Sequence, residues 1–94
     1  MVARSQPCSV ELVRATSDAE ELGLLGWVRV RVVGLEFDGI ALRRSREGRI
    51  YLSFPTRKDR AGKRHYVVRP TSDETRVAFE AMVLDELRRQ GEFD

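Results

Sequence analysis

Residues 54–70, FPTRKDRAGKRHYVVRP, hold six Lys/Arg and a single acid, Asp59. Five of those cations, Arg57, Lys58, Arg60, Lys63 and Arg64, fall on or beside a turn-like segment that contains Gly62. The chemistry such a cluster offers is capture of anions. A guanidinium fork matches two phosphate oxygens at once, and a flexible lysine adds a point charge. A second set, Arg43, Arg44, Arg46 and Arg49, frames the upstream turn SREG at 45–48. Tyr51 and Tyr66 stand close to these charges. A tyrosine face can stack on a base, and it serves equally as ordinary strand surface. Neutralising about five phosphates would make log K fall with log salt at a slope of roughly −4 to −5.

Other chemistries find little here. The chain has no Gly-rich phosphate loop ending in Lys-Ser/Thr, no G-x-G-x-x-G, no H-E-x-x-H and no G-x-S-x-G. Its one cysteine, Cys8, and its one histidine, His65, fall short of a zinc ligand set. Cys8 reads as a small packing residue, and a lone cysteine agrees with a reducing compartment. Glu36 with Asp38, and Asp85 with Glu86, read as solvated surface, and Asp38-Gly39 as a turn or bulge. The expectation is a protein that is not an enzyme, with no metal, no cofactor and no small-molecule substrate.

Charge is distributed unevenly along the chain. Residues 39–70 carry ten Lys/Arg against Glu47 and Asp59, a net +8. Residues 1–38 carry four bases and six acids, and residues 71–94 three bases and seven acids. The overall +2 therefore hides a basic block between acidic flanks. Such a block reads as a nucleic-acid footprint, or as one side of an acid–base match within the protein or across a dimer. At 94 residues, 41% hydrophobic and 34% charged, the chain suits one small globular domain and not a disordered segment. No apolar run approaches the roughly 20 residues of a membrane helix. The N-terminus MVARSQPCSV lacks a signal-peptide apolar core, so a cytoplasmic location is expected.

To present a charged surface, the cations must be held on strands and turns. CSVELVRA (8–15) reads as a first strand, and TSDAEELG (16–23) as a polar connection with room for a short helical turn. LLGWVRVRVV (24–33) alternates Val28, Val30 and Val32 against Trp27, Arg29 and Arg31, the period of a strand with one wet face. In LEFDGIALRR (35–44) the phase slips at Asp38-Gly39. A tight hairpin and a bulge both fit; the bulge is favoured because the two halves would be very short strands. RIYLSFP (49–55) is a strand ended by Pro55, TRKDRAGK (56–63) a long hairpin loop, and RHYVVR (64–69) a fifth strand. After Pro70, Thr71 and Glu74 have the spacing of a capping box, and the helix should run to about Gln90 with Gly91 as terminator. Asp73 and Glu74 at its start and Arg88 and Arg89 at its end suit the helix dipole. The expected fold is α+β: an antiparallel sheet of four to five strands followed by a C-terminal helix, over residues 8–91, with 1–7 as a flexible tail.

That helix is unusually apolar. VAFEAMVL (77–84) contains one charge, Glu80. Val77, Ala81 and Leu84 cover one side, and Phe79, Met82 and Val83 spread over much of the other. A helix lying on a single sheet shows an apolar stripe and a polar back. A second copy of the chain is the expected cover, which predicts a homodimer through Phe79, Met82 and Val83. The N-terminal segment folding over the helix is the alternative.

Taken together, LRRSREGRIYLSFPTRKDRAGKRHYVVRPTSDETRVAFEAMVLDEL resembles the stage V sporulation protein G (SpoVG) family of small bacterial regulators. The family's strand, Pro, small polar residue and two basic residues read here as Phe54-Pro55-Thr56-Arg57-Lys58, followed by a turn to Gly62, a strand to Pro70 and a helix bearing Arg76 and Val83-Leu84. DGIALRR also resembles an earlier family strand. The chain departs from the pattern at Tyr66, where the family usually has Asp, at Arg69, where it often has His, and in a loop that lacks a Pro and gains Arg60. The resemblance implies a sheet packed on a C-terminal helix, a dimer, and site-selective binding of DNA, with RNA also possible. It implies a regulatory role in gene expression touching septation, sporulation and virulence, with no enzymatic activity. It carries the family's loop cations onto Arg57 and Lys58 only; Arg60, Lys63 and Arg64 join them on charge alone. The competing expectation is a protein–protein interaction module whose basic hairpin meets an acidic partner.

Overall fold

The computed structural model describes residues 9–92; the expected tail at 1–7 and the reading of Cys8 as a packing residue lie outside them. The elements are β1 (Ser9–Arg14), α1 (Ser17–Glu21), β2 (Leu24–Val32), β3 (Leu35–Arg44), β4 (Ile50–Ser53), β5 (Thr56–Lys58), β6 (Arg64–Tyr66) and α2 (Asp73–Arg89). The architecture is α+β: β1-β2-β3-β4 form an antiparallel meander, β5 and β6 form a separate two-stranded ribbon, and α2 covers one face of the meander. No helix among the described residues is long and apolar enough to cross a membrane.

The valine alternation of β2 sets the faces of the sheet. Val28 and Val30 are fully buried while Trp27, Arg29 and Arg31 remain exposed. Val10, Ile40, Leu42 and Leu52 complete the inner face, and Val83 and Leu87 of α2 close on it. Each such side chain contributes about 1.5–3 kcal/mol when taken out of water. The phase slip in β3 is a bulge. Val28 pairs with Ile40 and Val30 with Phe37, so one residue of β2 faces both Asp38 and Gly39. Gly39 sits at φ +82°, a conformation a side chain would strain. The bulge lets Phe37 and Ile40, of opposite parity, both turn inward. Gly26 answers a different need: a Cβ there would lie 2.4 Å from the Val13 carbonyl oxygen, so only glycine lets β1 pair this closely.

Helix α2 is capped one residue later than expected. The hydroxyl of Ser72, not of Thr71, accepts the Thr75 amide at 3.1 Å, which places Glu74 too near the start to complete a capping box. The C-terminus closes as anticipated, with Gly91 N–H donating to Arg88 O at 2.9 Å and Glu92 N–H to Leu87 O at 3.0 Å. Gln90 Nε2 then donates to Val10 O at 2.8 Å and ties the helix end to β1.

Two further expectations change. Residues 64–69 do not extend the main sheet: Pro55, which has no N–H to donate, separates β4 from β5, and pairing becomes local to the ribbon. Nor do Phe79, Met82 and Val83 face away from the sheet. Val83 is fully buried, and Phe79 and Met82 pack against the same core. Phe79 meets Phe54 with ring centroids 5.9 Å apart. The outer side of α2 carries Val77, Ala78 and Ala81, then Asp85 and Arg88. The reason is Glu80. This single charge marks the inner face, not the outer one, because its carboxylate accepts the Leu52 amide of edge strand β4 at 3.2 Å. The helix therefore has an ordinary stripe with a small-residue back, and Val83 cannot serve a dimer contact.

Candidate nucleic-acid interface

The basic segment is a projecting hairpin. Thr56 pairs with Tyr66, Arg57 with His65 and Lys58 with Arg64, and the Val67 amide adds a bond to Pro55 O at 2.9 Å. The tip closes through Gly62 N–H to Asp59 O at 3.0 Å and Asp59 N–H to Lys63 O at 2.9 Å. Strand β5 thus takes up part of what read as a long loop. The Asp59 carboxylate organises the tip. Its Oδ1 accepts the Ala61 and Lys63 amides, each at 2.9 Å, and its Oδ2 lies 2.8 Å from His65 Nε2. The His65 contact first, and the Lys63 amide second, hold this carboxyl below the ordinary aspartate range.

The only acid of the hairpin is thus bound up within its own turn. Residues 57–67 are all exposed. Arg57, Lys58, Arg60, Lys63 and Arg64 make no ion pair among the described residues. Arg64 donates to Thr56 Oγ1 at 3.1 Å, across the ribbon. With Arg69 the segment holds six cations to one acid, a net +5.

The turn between β3 and β4 repeats the same design. Gly48 N–H donates to Ser45 O at 2.9 Å, Ser45 N–H to Arg49 O at 2.8 Å, and the Arg49 amide to Ser45 Oγ at 3.1 Å. SREGR and DRAGK are two copies of one turn, each with an arginine at its second position and a base after its glycine. They do not adjoin. The first opens β4 and the hairpin leaves from the other end, so the four residues of β4 separate them by roughly 13 Å along the strand.

Their electrostatics differ as well. Arg44 and Arg46 share a hollow with Glu20 and Glu21. Arg49 stands 3.7 Å from Glu80 and over the Tyr51 ring at 5.5 Å. Of this set Arg49 alone makes an ion pair among the described residues, with Glu80, while Glu20 and Glu21 bring negative charge to the hollow beside Arg44 and Arg46. Acids this close contribute little as individual pairs, but they lower the field that a distant phosphate would feel. The hairpin is the stronger cationic feature. On the uncovered sheet face, Arg29 pairs with Glu11 and Asp38 and Arg31 with Glu36, so that face is balanced too.

A groove of about 440 Å³ lies between the edge of β4, the base of the hairpin and the start of α2. Tyr51 and Tyr66 both line it, with Arg69 and Arg76. Arg69 stacks over the Tyr66 ring at 5.6 Å. Arg76 is shared between Asp73 at 3.7 Å and Glu80 at 3.4 Å. The two tyrosines and the hairpin cations were visible in the sequence. The groove was not, because it joins residues from three elements. Neither was the Asp59–His65 clasp, for which the six-residue spacing across a glycine turn is the one available signal. Comparison with known protein families, with characterised proteins and with solved structures returns no match.

Proposed function

We propose that this chain is a nucleic-acid-binding regulatory protein of the SpoVG type, which grips the phosphate backbone with its β5–β6 hairpin. The observation that carries the reading is the set of five exposed cations, free of ion pairs among the described residues, on a turn whose one carboxylate is already occupied. Such a surface gains most from a polyanion, because each phosphate contact releases condensed counterions. Pairing of two copies, which the family resemblance implies, would double the footprint; light scattering reads that state, and a monomer removes this part of the proposal.

The test is a gel-shift titration against salt. Binding of duplex DNA or RNA should weaken steeply as salt rises. The triple change Arg57→Ala, Lys58→Ala, Arg60→Ala should lower the salt slope by roughly 2 to 3. The fold should persist, since all three side chains are exposed. Failure of the unaltered protein to shift any nucleic acid at low salt overturns the reading in favour of an acidic protein partner.

A further inference from the structure

The groove beside the hairpin has a composition that phosphate capture alone does not require. Two tyrosine rings, Tyr51 on edge strand β4 and Tyr66 at the hairpin base, line one concavity. Each ring has a guanidinium over one face, Arg49 at 5.5 Å and Arg69 at 5.6 Å from the ring centre. Tyr66 is 56% exposed, far more than a core aromatic would be. Its volume of about 440 Å³ falls within the usual range for small-ligand sites. Aromatic rings and guanidinium planes are the two surfaces on which nucleobases stack. Arg69 makes no ion pair among the described residues, and Asp73 and Arg76 bring opposite charges to the wall.

The position of the groove supplies the argument for its occupant. Tyr66 pairs with Thr56 and Arg64 with Lys58, and alternate strand positions put all four on one face of the ribbon, where Arg64 donates to Thr56 Oγ1 at 3.1 Å. A strand whose phosphate rests on Arg64 therefore brings an adjacent nucleotide to the Tyr66 ring. In a duplex that base is stacked and paired, and its faces are closed to a side chain. Resting on the phosphate-binding reading above, we propose that the Tyr51–Tyr66–Arg69 groove takes one unpaired nucleobase, so that the protein prefers single-stranded to duplex nucleic acid. Stacking of one base is worth roughly a 5- to 100-fold gain in affinity.

The experiment uses the full chain and a short oligonucleotide with one 2-aminopurine, offered alone and annealed to its complement. The unaltered protein should bind the single strand more tightly and quench the 2-aminopurine. Tyr66→Ala and Tyr51→Ala should each lose that advantage and the quenching, with duplex affinity and salt slope kept. Tyr66→Phe should retain both, because the ring remains; circular dichroism checks the fold of each variant. Equal affinity for the two forms, or a Tyr66→Ala loss shared equally by single strand and duplex, overturns the groove proposal. If duplex binding still depends on Arg57, Lys58 and Arg60 in that case, phosphate capture stands and the groove alone falls. If neither form binds at low salt, phosphate capture falls and the groove with it.

Discussion

Two carboxylates show how a residue's role follows from its partners and not from its type. Asp59 is exposed, yet its oxygens meet two amides and His65. Its pKa is depressed in the folded chain, so its contribution to hairpin order is present at neutral pH and is lost as pH falls through the depressed value. NMR titration of the Asp59 carboxyl should give a midpoint below the ordinary value of about 3.9, and His65→Ala should move it upward. Glu80 is the opposite case, a carboxylate whose side chain is only 11% exposed. It accepts the Leu52 amide and faces Arg49 and Arg76. Glu80→Ala leaves that edge amide unpaired, at a cost of about 1–3 kcal/mol, whereas Glu80→Gln keeps an acceptor and should lose less. Thermal denaturation reads this at about 4–8 °C per kcal/mol for a domain of this size.

At the scale of elements, α2 shows why a helical wheel leaves its orientation open. Its apolar residues nearly encircle it, and the one charge that should mark the solvent side is turned to the sheet edge. Leu87 lies fully buried beneath it, while Val77 is 57% exposed on its back. Leu87→Ala should therefore cost about 2–5 kcal/mol in denaturant unfolding. Val77→Ala should stay within about 0.5 kcal/mol. A large loss at Val77 would mean that the back of α2 is covered in solution. The hairpin is stabilised differently, by its ladder and the Asp59 clasp, so its substitutions should alter binding without unfolding the sheet.

Across the whole molecule, the acidic flanks of the chain are not idle solubilising tails. Glu20 and Glu21 of α1 fold back to the β3–β4 turn, and Glu80 of α2 reaches Arg49. They bring negative charge toward one of the two basic turns, and among the described residues no acid of the flanks pairs with the other. Under the proposed function, Arg43→Ala with Arg44→Ala and Arg46→Ala should weaken polyanion binding far less than the hairpin triple change, by the same gel-shift titration. Equal losses would mean that both turns grip phosphate.

Much of the fold could be read from local pattern. Alternating valines, the glycine in a phase slip, a proline break and a glycine terminator each act through backbone sterics or burial within a few residues, so the four strands of the main sheet, the β3 bulge and the extent of α2 were legible, whereas β5 read as loop. The cationic hairpin was legible for the same reason, since its charges are contiguous. Which side of α2 meets the sheet, which basic turn keeps its field and where two tyrosines share a groove were decided only by packing. Those outcomes depend on carboxylates and rings from distant segments meeting in space, and charge cancellation and stacking act through distance, not through sequence separation.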